Sequence, residues 1–137
     1  MANGEQQKAN SKGYTLYIDT SDKEAILRVY QDNKIVSELK WKSYQKLSET
    51  LSNKYSNILQ NVGISQDNLK GICVFLGPGS FTGLRIGISF ANGLSYGLGI
   101  PIYGTKKRGK VDLSVAHDIV VPYYDSPPKI TKQKNKY

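Results

Sequence analysis

The stretch that most restricts how this chain can fold is Gly77-Pro78-Gly79-Ser80-Phe81-Thr82-Gly83-Leu84-Arg85-Ile86-Gly87, which follows directly on the apolar run Ile72-Cys73-Val74-Phe75-Leu76. A β-branched run, a glycine-rich turn and a helix-period segment read as strand, loop and helix N-terminus. The chain is organised around this strand-to-helix turn.

Upstream, Tyr14–Ile18 reads as a first strand ending at Asp19-Thr20-Ser21, whose side chains favour turns. Ala25–Tyr30 and Ile35–Trp41 read as second and third strands joined by a short polar link, an antiparallel hairpin. From Tyr44 to Val62, Leu47, Leu51, Tyr55, Ile58, Leu59 and Val62 recur at three- and four-residue spacing, which predicts an amphipathic helix ended by Gly63. The strand Ile72–Leu76 is then reached through a helix and should pair in parallel.

The second helix is expected from Ser80 or Phe81 to Tyr96, capped by Ser80 or Thr82. Gly83, Gly87 and Ala91 fall four apart, with Ser95 continuing the row. A glycine costs a helix interior about 1 kcal/mol against alanine. Two on one stripe imply the close approach of another backbone, either the sheet beneath or a second helix above. Gly97-Leu98-Gly99 ends the helix before a last strand, Ile100–Tyr103.

Composition excludes several classes. The length of 137 residues, with 39% hydrophobic and 22% charged, suits one core. No run reaches the roughly 20 apolar residues of a membrane span, so no membrane partner is expected and a cytoplasmic location is the default. The single cysteine, Cys73, offers no disulfide and reads as a core residue. The net charge of +8 is uneven: residues 1–13 carry +1, residues 14–104 carry +2, and residues 105–137 carry +5. The body is near neutral and the tail is basic, able to hold RNA phosphates through counterion release.

This element order makes an α/β fold: a ribonuclease-H-like, actin/ASKHA-type single lobe, with a mixed five-stranded sheet and packed helices. Asp19-Thr20-Ser21, Leu47-Ser48-Glu49-Thr50-Leu51, the Gly77–Gly87 motif, Gly93-Leu94 and Gly97-Leu98-Gly99-Ile100-Pro101-Ile102-Tyr103-Gly104 together resemble the TsaB (YeaZ) family. The resemblance covers residues 14–104. It implies a role in making threonylcarbamoyladenosine beside the tRNA anticodon, as a non-catalytic paralogue that pairs with and activates the transferase TsaD. Pairing in that family uses two helices, matching Tyr44–Val62 and Ser80–Tyr96 here, in a four-helix bundle. The interface so implied comprises Leu47, Leu51, Tyr55, Phe81, Gly83, Leu84, Gly87, Ile88 and Ala91, and without the partner the same face would form a homodimer. Further subunits of the threonylcarbamoyladenosine complex are also expected as partners.

Departures from the family set the remaining expectations. Members carry a second lobe of the same fold, whereas 33 residues follow Gly104 here. The expected division is a disordered segment 1–13, the lobe 14–104, a vestigial second lobe 105–124 with a returning strand Ile119–Tyr123, and a basic flexible tail 125–137. TsaD-like transferases bind metal through paired histidines, and this chain has only His117. No metal or cofactor is therefore expected. Two alternatives stay open. One is a nucleotide-binding remnant using Asp19, Gly79, Ser80 and Arg85, although the glycine loop lacks the Gly-Lys-Ser/Thr ending of a phosphate loop. The other is a tRNA-binding module acting through the basic tail.

Overall fold

The computed structural model describes residues 13–124, so the expectations for residues 1–12 and for the tail 125–137 lie outside the described residues. The elements are β1 (Tyr14–Asp19), β2 (Glu24–Gln31), β3 (Lys34–Lys42), α1 (Leu47–Val62), a 3-10 turn (Gln66–Asn68), β4 (Leu69–Phe75), α2 (Phe81–Leu98) and β5 (Ile102–Thr105). They form one five-stranded sheet in the order β3-β2-β1-β4-β5. β1, β2 and β3 are an antiparallel meander, while β4 pairs in parallel with both β1 and β5. The mixed sheet expected from the element order is the one observed.

The register sorts strand side chains into two sets. Leu16, Ile18, Leu27, Val29, Ile72, Val74 and Ile102 share one face and are fully buried, forming the core with Leu51, Ile58, Leu84, Ile88 and Ala91 of the two helices. Tyr17, Arg28, Cys73 and Tyr103 share the other. That second face is where the segment after β5 lies: the Gly109 N–H donates to Tyr17 Oη at 2.7 Å, and Arg28 donates to the Gly109 carbonyl at 3.2 Å. Burial pushes the Cys73 thiol up to about 11, with its Sγ 3.9 Å from the Asp112 carbonyl oxygen.

Element limits differ from the periodic reading at three places. The first helix begins at Leu47, because Tyr44 and Gln45 take φ of 50° and 73°, left-handed values that cannot continue a helix. β4 starts at Leu69, since the capping box of Ser65 and Asn68 closes the preceding turn there. β5 runs from Ile102, because Ile100 belongs to the helix end: its N–H donates to the Ser95 carbonyl at 3.1 Å and its carbonyl accepts from Ser95 Oγ at 2.5 Å.

The returning strand expected over Ile119–Tyr123 is not formed. Residues 106–124 instead run as a strap around the β5 edge, without regular structure beyond one antiparallel bridge between His117 and Ile102. What competes with pairing is a helix side chain. Asn92 of α2 donates to the Val120 carbonyl at 2.9 Å and accepts from the Val120 N–H at 3.0 Å, pulling that residue off the sheet edge. Tyr123 then returns to the end of β4, its N–H donating to the Leu76 carbonyl at 2.7 Å. Gly77 turns beneath it at φ +116°, where a Cβ would collide with the Tyr123 carbonyl oxygen.

Asn92→Ala leaves both polar groups of Val120 without their partner. It should lower the unfolding free energy by about 1–3 kcal/mol and open residues 112–124 to limited proteolysis. Unchanged cleavage kinetics would show that the strap is held by something else.

Candidate functional site

In an open α/β sheet, ligands bind in the crevice beyond the carboxyl ends of the strands, where the order reverses. Here that point lies at the ends of β1 and β4, and Asp19 stands on it, 2% exposed. Its Oδ1 accepts from the N–H of Ser21 at 2.9 Å and from Ser21 Oγ at 2.6 Å, so the carboxylate first holds its own turn. Its Oδ2 faces the Nε of Arg108 at 3.4 Å. Arg108 also donates to Ser21 Oγ at 2.6 Å, reaches Asp22 at 3.9 Å and lies over the Phe75 ring at 5.2 Å. The chain's own guanidinium thus lies against the Asp19 carboxylate, with about half of the Arg108 side chain still exposed. Of the four residues named for an anion or nucleotide, Asp19 is covered, and the Ser80 hydroxyl accepts from the Gly83 N–H as helix cap. Gly79 packs against Ser21. Arg85 is exposed in a separate shallow groove with Ser48, Thr82, Ile86 and Ser89. They do not converge.

A wider cleft, of about 1240 Å³, opens between the β1–β2 turn, the β3–α1 loop and the start of α2. Lys23, Lys42 and Lys46 on its wall are offset by Asp22 and Glu49. Among the described residues no group of three or more His, Cys, Asp or Glu could hold a metal ion, and His117 is exposed, held through its backbone. No helix of the described residues is long and apolar enough to cross a membrane.

The row Gly83, Gly87, Ala91 and Ser95 faces inward, which corrects its assignment to a partner interface. A Cβ on Gly83 would strike the Thr20 carbonyl oxygen, and one on Gly87 would strike the Thr20 side chain. Thr20 Oγ1 in turn donates to the Gly83 carbonyl at 2.6 Å, and the Ser80 N–H donates to the Ser21 carbonyl at 2.9 Å. The close backbone approach that the stripe demanded is to the sheet beneath. Leu51, Leu84, Ile88 and Ala91 are likewise core residues, and Leu47 is buried. Tyr55 lies between the helices, edge-on to Phe90 at 5.6 Å, with burial pushing its phenol up to about 12. Phe81 is half exposed and stacks on Tyr124 at 4.1 Å.

A second row of small residues on α2 was missed by pattern reading. Ser89, Gly93 and Gly97 also fall four apart and are all exposed, and a Cβ on either glycine would meet nothing within 4 Å. Tyr96 beside them is 90% exposed. Contacts within the chain therefore explain Gly83 and Gly87 and leave Gly93 and Gly97 unexplained. The missed signal was in the sequence, as a second four-residue spacing on the same helix.

Known proteins give this lobe relatives. A family model described as TsaD, tRNA N6-adenosine threonylcarbamoyltransferase, matches residues 41–107. The protein of that name from Geotalea uraniireducens is 42% identical over 60 residues, 44% of this chain and 18% of its own length. The tRNA threonylcarbamoyladenosine biosynthesis protein TsaB of Buchnera aphidicola is 34% identical over 89 residues, 65% of this chain and 42% of its own. TsaB of Bacillus subtilis is 26% identical over 115 residues, 81% of this chain and 49% of its own. The solved YeaZ of Pseudomonas aeruginosa superposes with a TM-score of 0.63 at 22% identity, covering 68% of this chain and 43% of that one. At that identity the structural likeness speaks for the fold. The chain spans less than half the length of each of these relatives.

The two glycine rows should respond oppositely to one substitution. Gly93→Ala and Gly97→Ala should each stabilise by about 0.5–1 kcal/mol, while Gly83→Ala, which meets backbone, should destabilise by about 1–3 kcal/mol. Urea denaturation of the three variants checks this, and equal shifts would reject the assignment of rows.

Proposed function

We propose that this chain, whose lobe is similar to TsaB and YeaZ proteins, is a non-catalytic partner subunit in tRNA threonylcarbamoyladenosine formation, pairing with and activating a TsaD-type transferase. The observation that carries this reading is the outward row Ser89, Gly93 and Gly97. Two exposed glycines cost helix α2 about 2 kcal/mol together, and the reason that justifies such a cost is a second helix packed against that row, with no side chain holding it off. Tyr96 is the anchor beside it. Arg85 continues the face toward the start of the helix. The same face serves for pairing with a second copy of this chain when the transferase is absent. A role without catalysis of its own is supported by the end of β1, where the Asp19 carboxylate is taken up by Ser21 and Arg108 of the same chain. A tRNA substrate fits work in the cytoplasm.

Co-expression with a tagged TsaD-type transferase tests the reading. Wild type should co-elute, and Gly93→Trp and Gly97→Trp should abolish the complex while the circular dichroism spectrum and melting temperature stay near wild type. Co-elution of both variants at wild-type levels would reject this face as the interface.

A further inference from the structure

The basic character of the chain is concentrated after β5, and the fold presents the start of that segment on a fixed turn. Lys107–Lys110 is closed by the Lys110 N–H donating to the Lys107 carbonyl at 3.2 Å, with Gly109 at φ +77° in the position such a turn reserves for glycine. The turn is pinned from below at Tyr17, Arg28, Asp19 and Ser21, through Gly109 and Arg108. Arg108 is thereby used internally. Lys106, Lys107 and Lys110 are exposed, and among the described residues none of them forms an ion pair. Lys107 and Lys110 act electrostatically on Asp112, whose carboxylate is held by the N–H of Ser114 at 3.0 Å and its Oγ at 2.6 Å. Tyr123, 38% exposed, lies under the Lys106 ammonium at 4.1 Å from its ring centroid. One residue on, Tyr124 leads into a sequence that adds Lys129, Lys132, Lys134 and Lys136 against Asp125.

We propose that the turn Lys106–Lys110, with Tyr123 beside it, binds the phosphate backbone of single-stranded RNA. Three cations on a preorganised turn lose little freedom on binding, unlike lysines scattered on a mobile chain. The partly exposed Tyr123 ring, with the Lys106 ammonium over one face, adds an aromatic contact for a base beside the cations, the combination that single-strand binders use. That the polyanion is RNA rests on the function proposed above. The site is separable from the partner face. Phe81, stacked on Tyr124, opens α2, and Gly93 lies twelve residues further along, a rise of about 18 Å.

The test uses the full chain alone, without transferase, and fluorescence anisotropy with a labelled oligouridylate of about 12 nucleotides. Wild type should bind with micromolar affinity at low salt and weaken as potassium chloride rises from about 50 to 200 mM. The triple variant Lys106→Ala, Lys107→Ala, Lys110→Ala should bind at least about tenfold more weakly, its log–log salt slope shallower by about 2. Tyr123→Leu should weaken binding about fivefold or more. Gly93→Trp should bind RNA as wild type does, so loss of the transferase complex and loss of RNA binding can be told apart. A triple variant with wild-type affinity overturns the proposal, as does retention on phosphatidylserine vesicles without any RNA signal.

Discussion

Three consecutive residues at the end of β1 hold the molecule together. Thr20 seats helix α2 by filling the space that Gly83 and Gly87 leave open, and its hydroxyl donates to the Gly83 carbonyl. Ser21 offers its carbonyl to the Ser80 N–H, fixing where the helix begins. Asp19 closes the turn through Ser21 and draws Arg108 across the sheet end. Sheet, helix and strap therefore meet at one turn, and each contact depends on the others being in register. The buried carboxylate is tolerable because two hydrogen bonds and a guanidinium meet it.

Much of the fold was legible because it is local or periodic. The hairpin between Ala25–Tyr30 and Ile35–Trp41, the apolar spacing from Leu47 to Val62 and the Gly77–Gly87 turn each carry their own signal. Boundaries were lost where a single backbone angle decides, as at Tyr44 and Gln45, since no pattern forbids a helix there. The strap was read as a strand because Ile119–Tyr123 is apolar and β-branched. That reading could not see Asn92, 28 positions away, supplying both hydrogen bonds to Val120.

The candidate site was legible in kind and misplaced in position. Four-residue spacing identifies a smooth stripe on α2 without saying which way it faces, and the helix carries two such rows about 140° apart. Only the position of Thr20, fixed by the fold of β1, decides that Gly83 and Gly87 are inner and Gly93 and Gly97 outer. In the same way the run Lys106-Lys107-Arg108-Gly109-Lys110 gives no hint that its arginine has a different task from its lysines. That division comes from a contact spanning 87 positions, between Arg108 and Ser21.

The glycines of α2 also bear on what makes that segment helical. Four of its 18 residues are glycine, which together hold the free helix about 4 kcal/mol below an alanine counterpart. With nucleation already unfavourable, such a segment does not become helical in isolation. The β1–β2–β3 meander, by contrast, closes through contacts between neighbours in sequence. The helix α2 therefore owes its form to the turn at Thr20 against which it packs, more than to its own sequence.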